Sequence, residues 1–298
     1  MKIKQSAGER FFHIFNYIFI SLCAFLALYP FLQVIATSFS SSRAVSSGEV
    51  IWRPVEFNLL AYKQLLEDGQ IFVAMKNTVV LTVVGTALNM FATILAAYSL
   101  SKKRLRGRNI FLLIIIFTMM FNGGMIPNFI LIKKLGLMDN YLGLWLMGLI
   151  GTYNMFVMKT FFENMPESLE EAAAIDGAND IQIMVKLILP LSLPVIATLT
   201  LFYAVGWWNQ YFNAMLYITS TSKQPLMVKL MQMLDTAQMI MVNTANPSGG
   251  TEGVIENTIA PETFKAASII ISTLPILCVY PFLQKYFVKG VMIGSIKG

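Results

Sequence analysis

The side chains able to do chemistry are few in this chain, and their spacing excludes most reactions. The single histidine, His13, stands beside the first apolar run, so neither a catalytic triad nor a multi-histidine metal site is available. The two cysteines, Cys23 and Cys278, each lie inside an apolar run with no CxxC, which predicts two buried thiols without metal or redox chemistry. There is no GxxxxGK[ST] phosphate loop and no HExxH zinc helix. The distinctive polar residues gather instead in one interruption between apolar runs, residues 163–193. Glu167, Glu170 and Glu171 suit the positive end of a short helix, and Ser168 with Glu171 three residues on predicts a capping box. Ala172, Ala173 and Ala174 would leave its surface slim, and Asp176-Gly177 would close it with a tight turn. A second apolar-patterned segment then stops at Pro190 and Pro194. This set of residues builds no catalyst. It builds either a protein-docking surface or an ordinary interfacial loop.

The rest of the chain must position that loop. Of 298 residues, 56% are hydrophobic and 13% charged, about half the ~25% charge of soluble proteins, so the chain reads as all-α and integral to a membrane. The net charge of +6 does not point to nucleic acid, because the basic residues sit beside apolar runs. Six runs approach the ~20 residues that cross a bilayer, near 12–32, 72–100, 109–131, 141–161, 194–217 and 266–287. The first lacks a small-residue cleavage pattern and reads as a retained span. Lys102, Lys103, Arg104, Arg106 and Arg108 crowd the link between spans two and three, which predicts that this loop, both termini and the 163–193 loop are cytoplasmic. Lys133 and Lys134 fall on the outer side against that rule but are outnumbered. The span centres lack Asp and Glu, which argues against proton- or sodium-driven transport.

The whole chain, 1–298, reads as one helical membrane domain: residues 1–71 as a first span and outer loop, 72–298 as a five-span core. The outer loop should hold a short amphipathic helix over 59–66. Asn122-Gly123-Gly124 and Pro127 should interrupt span three, either as pathway lining or as a packing kink. A methionine-rich helix is expected over 225–241, followed by a loop tip at 243–253. Trp207, Trp208, Asn209, Gln210, Tyr211, Phe212 and Asn213 combine aromatic faces with amides. They suit sugar contact or an interfacial aromatic belt.

Glu171-Ala172-Ala173, three residues, Gly177, nine residues, Leu187, one residue and Leu189-Pro190 resembles the EAA loop of bacterial ABC importer permeases, and Asp176-Gly177-Ala178 matches its common form. Leu187 replaces the usual isoleucine. Asn77, Ala97-Tyr98-Ser99-Leu100, Ile126-Pro127, Leu135-Gly136-Leu137, Trp208-Asn209 and Lys297-Gly298 extend the resemblance to carbohydrate permeases of the maltose-transporter type, oligosaccharide carriers especially. The resemblance implies a type I ABC importer transmembrane domain without catalytic residues. It further implies a second homologous permease subunit, a cytoplasmic ATPase dimer that binds the ATP and Mg, and an extracellular solute-binding protein, all working in a bacterial cell membrane. Carried over residue by residue, Glu170, Glu171, Ala172, Ala173, Asp176, Gly177, Ala178 and Pro190 would couple to the ATPase, and Ser295 and Lys297 would lie on a short flexible tail, residues 292–298, that reaches it. Asn122, Trp208, Asn209 and Tyr211 are candidates for the substrate path. A permease for amino acids or phosphate, or an ATPase-independent channel, are the competing expectations.

Overall fold

The computed structural model describes the backbone of residues 7–67, 69–121, 123–245 and 259–295, and the described secondary structure is helical throughout. In chain order the helices are α1 (Ala7–Ser38), α2 (Ser42–Ser46), α3 (Leu60–Glu67), α4 (Gln70–Ser101), α5 (Arg108–Met120), α6 (Met125–Lys134), α7 (Tyr141–Met147), α8 (Thr152–Glu163), α9 (Glu167–Ile175), α10 (Asp180–Ile183), α11 (Leu189–Leu191), α12 (Leu193–Trp208), α13 (Phe212–Tyr217), α14 (Leu226–Ala245) and α15 (Pro261–Ser295). Among the described residues two helices, α1 and α4, are long and apolar enough to cross a membrane, and up to five segments are if each bent pair counts as one. The sixth predicted run falls within α15. The chain divides into two compact units, one of residues 1–69 with 230–274 and one of 70–229 with 275–298.

In the first unit, α1 buries none of its apolar window. Phe11, Ile18, Phe25 and Phe31 are all exposed, as a span does whose neighbours are lipid or another chain. Cys23 shares that exposure, and Cys278 is exposed as well. This corrects the expectation of two buried thiols: apolar runs need not bury their residues inside their own chain. The outer segment folds on side-chain bonds. The Ser41 hydroxyl oxygen accepts from the Ala44 amide (3.2 Å), Glu56 pairs with Arg43, and Tyr62 donates to Ser38 (2.8 Å) while stacking on Phe39. The predicted 59–66 helix is α3 and the methionine-rich helix is α14. Residues 246–258, most of the predicted loop tip, lie outside the described residues.

The second unit is built on α4, which packs against α8 and α12. Gly85, Asn89, Thr93 and Ala97 recur every fourth residue and so share one face, where small and hydrogen-bonding side chains allow close helix approach. Trp207 lies against Gly85 so closely that an added Cβ would sit 2.6 Å from its ring. The α7–α8 pair bends by 52° at residues 148–151, which frees backbone groups that a lipid interior would leave unpaired. Asn89 supplies the partners: its amide nitrogen donates to the carbonyls of Gly148 and Leu149 (3.0 Å for the latter), and its oxygen accepts from the Trp207 indole (2.5 Å). One turn on, the Gly151 amide donates to the Tyr203 hydroxyl (3.1 Å), which pairs with Thr93 (2.7 Å).

Two predicted breaks take a different form. Span three breaks between Met120 and Met125 as the glycine pair dictates, but Pro127 sits within the first turn of α6, where a missing N–H costs nothing. The segment expected to stop at Pro190 and Pro194 ends between them, passing through Pro190 on the way. A π-helical stretch, Met184–Ile188, carries the chain into α11, and the corner of 82° falls at Ser192, whose hydroxyl donates to the Ile188 carbonyl (2.6 Å). A proline ring clashes with the carbonyl four residues back, and widening the preceding turn relieves it. Span five likewise ends at Trp208, with α13 a separate short helix.

At the opposite end of α4, Asp139 gathers the 218–225 loop. Its carboxylate accepts from the Ser220 amide (2.8 Å) and hydroxyl (2.6 Å), the Thr219 amide (3.1 Å) and the Lys223 ammonium (2.7 Å). The Lys223 and Ser220 bonds hold its carboxyl far below the usual range. A depressed native pKa contributes stability above the unfolded value of ~3.9 and loses it as pH falls through the native one. Amide exchange in 218–225 should therefore remain slow from pH 7 to about 4, and Asp139→Ala should accelerate it throughout that window.

Candidate functional site

The helix α9 and its surroundings form the site. Its N-terminal residue pattern does not cap as predicted: the N-cap is Pro166 and no side chain caps it, so the Ser168–Glu171 capping box is absent. The backbone enters the helix two residues earlier than that box requires. Proline supplies a fixed φ there, and Glu167 and Glu170 in the first turn still meet the positive helix end. A capping box does form, one element later, where Asn179 and Gln182 bond each other's backbone amides at the start of α10. Its signal, Asn followed three residues on by Gln, is legible in the sequence.

The C-terminal end explains the Asp-Gly-Ala pattern physically. Gly177 adopts φ +82, the left-handed region open to glycine. The Ala178 amide donates to Ala173 O (3.0 Å) and the Gly177 amide to Ala174 O (3.0 Å). These two bonds are the Schellman pair, and half-buried Ala173 and Ala178 supply the small apolar contact that accompanies it. Spacing of alanine and glycine thus fixes where α9 stops and how the chain leaves it.

Two adjacent glutamates face different ways. Glu170 turns inward to Lys102, with side chains 24% and 16% exposed, and the Lys102 ammonium also lies over the Tyr98 ring. Glu171 is exposed and makes no ion pair or hydrogen bond among the described residues. Four residues on, Ile175 is 87% exposed, and Asp176 beside it is exposed too. Glu171 and Ile175 share one helix face. A large aliphatic side chain held out on a fixed helix end, with a free carboxylate a turn away, is the form of a docking knob. Sequence reasoning named Glu171 and Asp176 but missed Ile175, because exposure is decided by packing.

The basic link between α4 and α5 grips this loop. Lys103 pairs with Glu167 (2.9 Å) and holds that carboxyl below its ordinary value, Arg104 pairs with Asp180, and Arg108 pairs with Glu163, which Lys159 also reaches (2.7 Å). The Lys103 and Arg104 pairs are well exposed, so solvent screening leaves them little weight in stability. The half-buried Lys102–Glu170 and Arg108–Glu163 pairs matter more, because truncating one partner leaves a poorly hydrated charge. Residues read from the sequence as orientation signals therefore also bracket the helix, which puts the two loops on one face. Lys102→Glu and Glu170→Lys should each accelerate amide exchange across residues 167–178 by more than about tenfold by setting like charges together. The double exchange should restore most of the protection, measured by hydrogen exchange.

The other candidates are placed as follows. Pro190 is exposed on α11, and Ala172 is exposed on α9. Trp208 is buried, Asn209 is exposed and bonds back to the Val205 carbonyl (3.0 Å), and Tyr211 reaches the Met215 sulfur (3.1 Å). A polar cleft of about 540 Å³ instead draws Gln210 and Asn213 together with Thr118 and Asn128. Asn122 lies outside the described residues, as does Lys297. The helix α15 includes Ser295, so the backbone predicted as a flexible tail is helical up to that residue.

The family described as the binding-protein-dependent transport system inner membrane component matches residues 89–293. The chain is 42% identical over 97% of its length to the polygalacturonan/rhamnogalacturonan transport system permease protein YtcP of Bacillus subtilis, covering 99% of that protein. It is 26% identical to the trehalose/maltose transport system permease protein MalG of Thermococcus litoralis, covering 94% of that protein and 93% of this chain. A solved bacterial ABC transporter involved in the import of the acidic polysaccharide alginate has a chain that superposes with a TM-score of 0.81 at 37% identity, across 96% of this chain and 100% of that one. With the helical architecture, the Schellman-closed α9 and these matches in agreement, the chain belongs to the binding-protein-dependent transport system inner membrane component family and has the type I ABC permease fold.

Proposed function

We propose that this chain is a permease subunit of an ATP-driven importer of acidic oligosaccharides in a bacterial cell membrane. The observation that carries the reading is identity of 37–42% across nearly the whole chain to a polygalacturonan/rhamnogalacturonan transport permease and to a chain of an ABC transporter involved in the import of the acidic polysaccharide alginate. The exposed α9 knob supports the mechanism. A cytoplasmic ATPase dimer, binding ATP and Mg in its own chains, closes and pulls on a groove seated over Glu171, Ile175 and Asp176. The Schellman turn at Gly177 and the basic bracket transmit that movement to α4, α8 and α12 as a rigid body. A second permease subunit completes the pathway, and a solute-binding protein delivers the sugar outside. Six spans, cytoplasmic termini and contact of Ser295 and Lys297 with the ATPase complete the proposed arrangement. The cleft near Gln210 and Asn213 offers amides to sugar hydroxyls, and Asn122, Trp208, Asn209 and Tyr211 stay candidate path residues on the sequence resemblance alone.

The test is uptake into proteoliposomes holding the complex that copurifies with this chain, supplied with its binding protein. Galacturonate oligomers should stimulate ATP hydrolysis and accumulate. Stimulation by amino acids or phosphate alone, or purification without any ATPase, refutes the assignment.

A further inference from the structure

Of the five cations in the α4–α5 link, Lys102, Lys103, Arg104 and Arg108 each have a carboxylate partner. Arg106 is exposed and makes no ion pair or hydrogen bond among the described residues. It stands at the rim of a cleft of about 530 Å³ whose wall includes Leu95, Ile181, Met184, Tyr98 and Arg104. The wall is graded. Leu95 lies six residues before the end of α4, about 9 Å down the helix axis, and is 41% exposed. Ile181, across the cleft on α10, is 69% exposed. The basic residues all lie beyond the helix end. Arg104 binds Asp180 through one amino nitrogen and keeps further donors for a second anion.

We propose that this cleft binds one anionic phospholipid, its phosphate on Arg106 and Arg104 and an acyl chain along Leu95, Ile181 and Met184. A cation left without a carboxylate, directly above an apolar groove that descends along a membrane-spanning helix, matches the charge and the apolar depth of such a molecule. A free inorganic anion would leave Leu95 and Ile181 uncovered. The ATPase approaches from the water and presents no apolar chain at the depth of Leu95. The bound headgroup would lie beside Tyr98 and Asp180, adjoining the bracket that holds α9. The proposal depends on membrane embedding alone, not on which solute is carried.

The experiment is native mass spectrometry of the full-length chain with its copurifying subunits, released from mixed phosphatidylglycerol and phosphatidylcholine. One phosphatidylglycerol per copy of this chain should be retained in preference to phosphatidylcholine. Arg106→Gln should weaken that retention about fivefold, the effect of the ~1 kcal/mol a basic residue contributes next to an anionic lipid surface. Ile181→Glu should weaken it as well, and Lys133→Gln, at an exposed lysine of α6, should not. Equal retention of the two lipids, or wild-type retention by Arg106→Gln, overturns the proposal. If a second permease chain fills the cleft instead, a cysteine placed at Leu95 will cross-link to that chain and not to lipid, which overturns it too.

Discussion

Replacing Gly177 with arginine should abolish transport while leaving the protein folded and inserted in the membrane. The backbone there is in the left-handed region, so any L-side chain costs about 1–2 kcal/mol of strain. A Cβ would meet no atom within 4 Å, so the fold tolerates the added volume. The arginine would project from an exposed turn two residues from Ile175, into the place the proposed ATPase groove would occupy. Losing an anchor of at least ~2 kcal/mol lowers affinity by roughly 30-fold or more. Gly177→Ala separates strain from bulk: it carries the same strain without the long side chain and should keep most of the uptake. The readouts are membrane abundance, copurified ATPase and uptake. Full uptake by a well-inserted arginine variant would remove α9 from the coupling path.

The second large effect is expected at Asn89. Its side chain is 2% exposed and serves three partners at once, the Gly148 and Leu149 carbonyls and the Trp207 indole. Asn89→Leu preserves much of the volume and removes all three bonds. An orphaned buried polar group costs about 1–3 kcal/mol, although hydrogen bonds between membrane helices average nearer 0.6. Three groups on one side chain, two of them backbone carbonyls at a helix break, place the sum at several kcal/mol. The thermal midpoint in detergent should fall by roughly 10 °C, at about 2–4 °C per kcal/mol for a protein of this size. Trp207→Phe removes one donor and should cost much less. Identical melting of Asn89→Leu and wild type would show that the break at 148–151 holds without this amide.

Much of the site is legible in the chain. The alanine–glycine spacing after residue 171 dictates the end of α9, because a Schellman turn needs glycine at the left-handed position and small residues at its contact. The glycine pair after Asn122 marks the start of α6 instead, where Gly124 takes φ +87 as the N-cap, while α5 ends earlier at an extended Phe121. What misled was also local. Ser168 looked like a cap because capping patterns do not reveal where the backbone turns helical, and here Pro166 turns it earlier. Pro190 and Pro194 bracket the corner at Ser192, but the π-turn that carries the chain through Pro190 leaves no composition signal. The stripe of Gly85, Asn89, Thr93 and Ala97 was readable at four-residue spacing, but its meaning required Trp207 and Tyr203 from 110 or more residues away.

The sequence by itself determined a helical membrane chain, the position of a polar loop between apolar runs and the family to which the chain belongs. Hydropathy, charge asymmetry and turn chemistry act over a few residues and can be read from them. Only the tertiary structure decided which side chains of the loop are spent on the chain and which are free. It turned Glu170 inward to Lys102, left Glu171 and Ile175 outward, and set four of the five link cations against carboxylates while sparing Arg106. Those assignments depend on the approach of segments 55 to 76 residues apart, and no local pattern carries that distance.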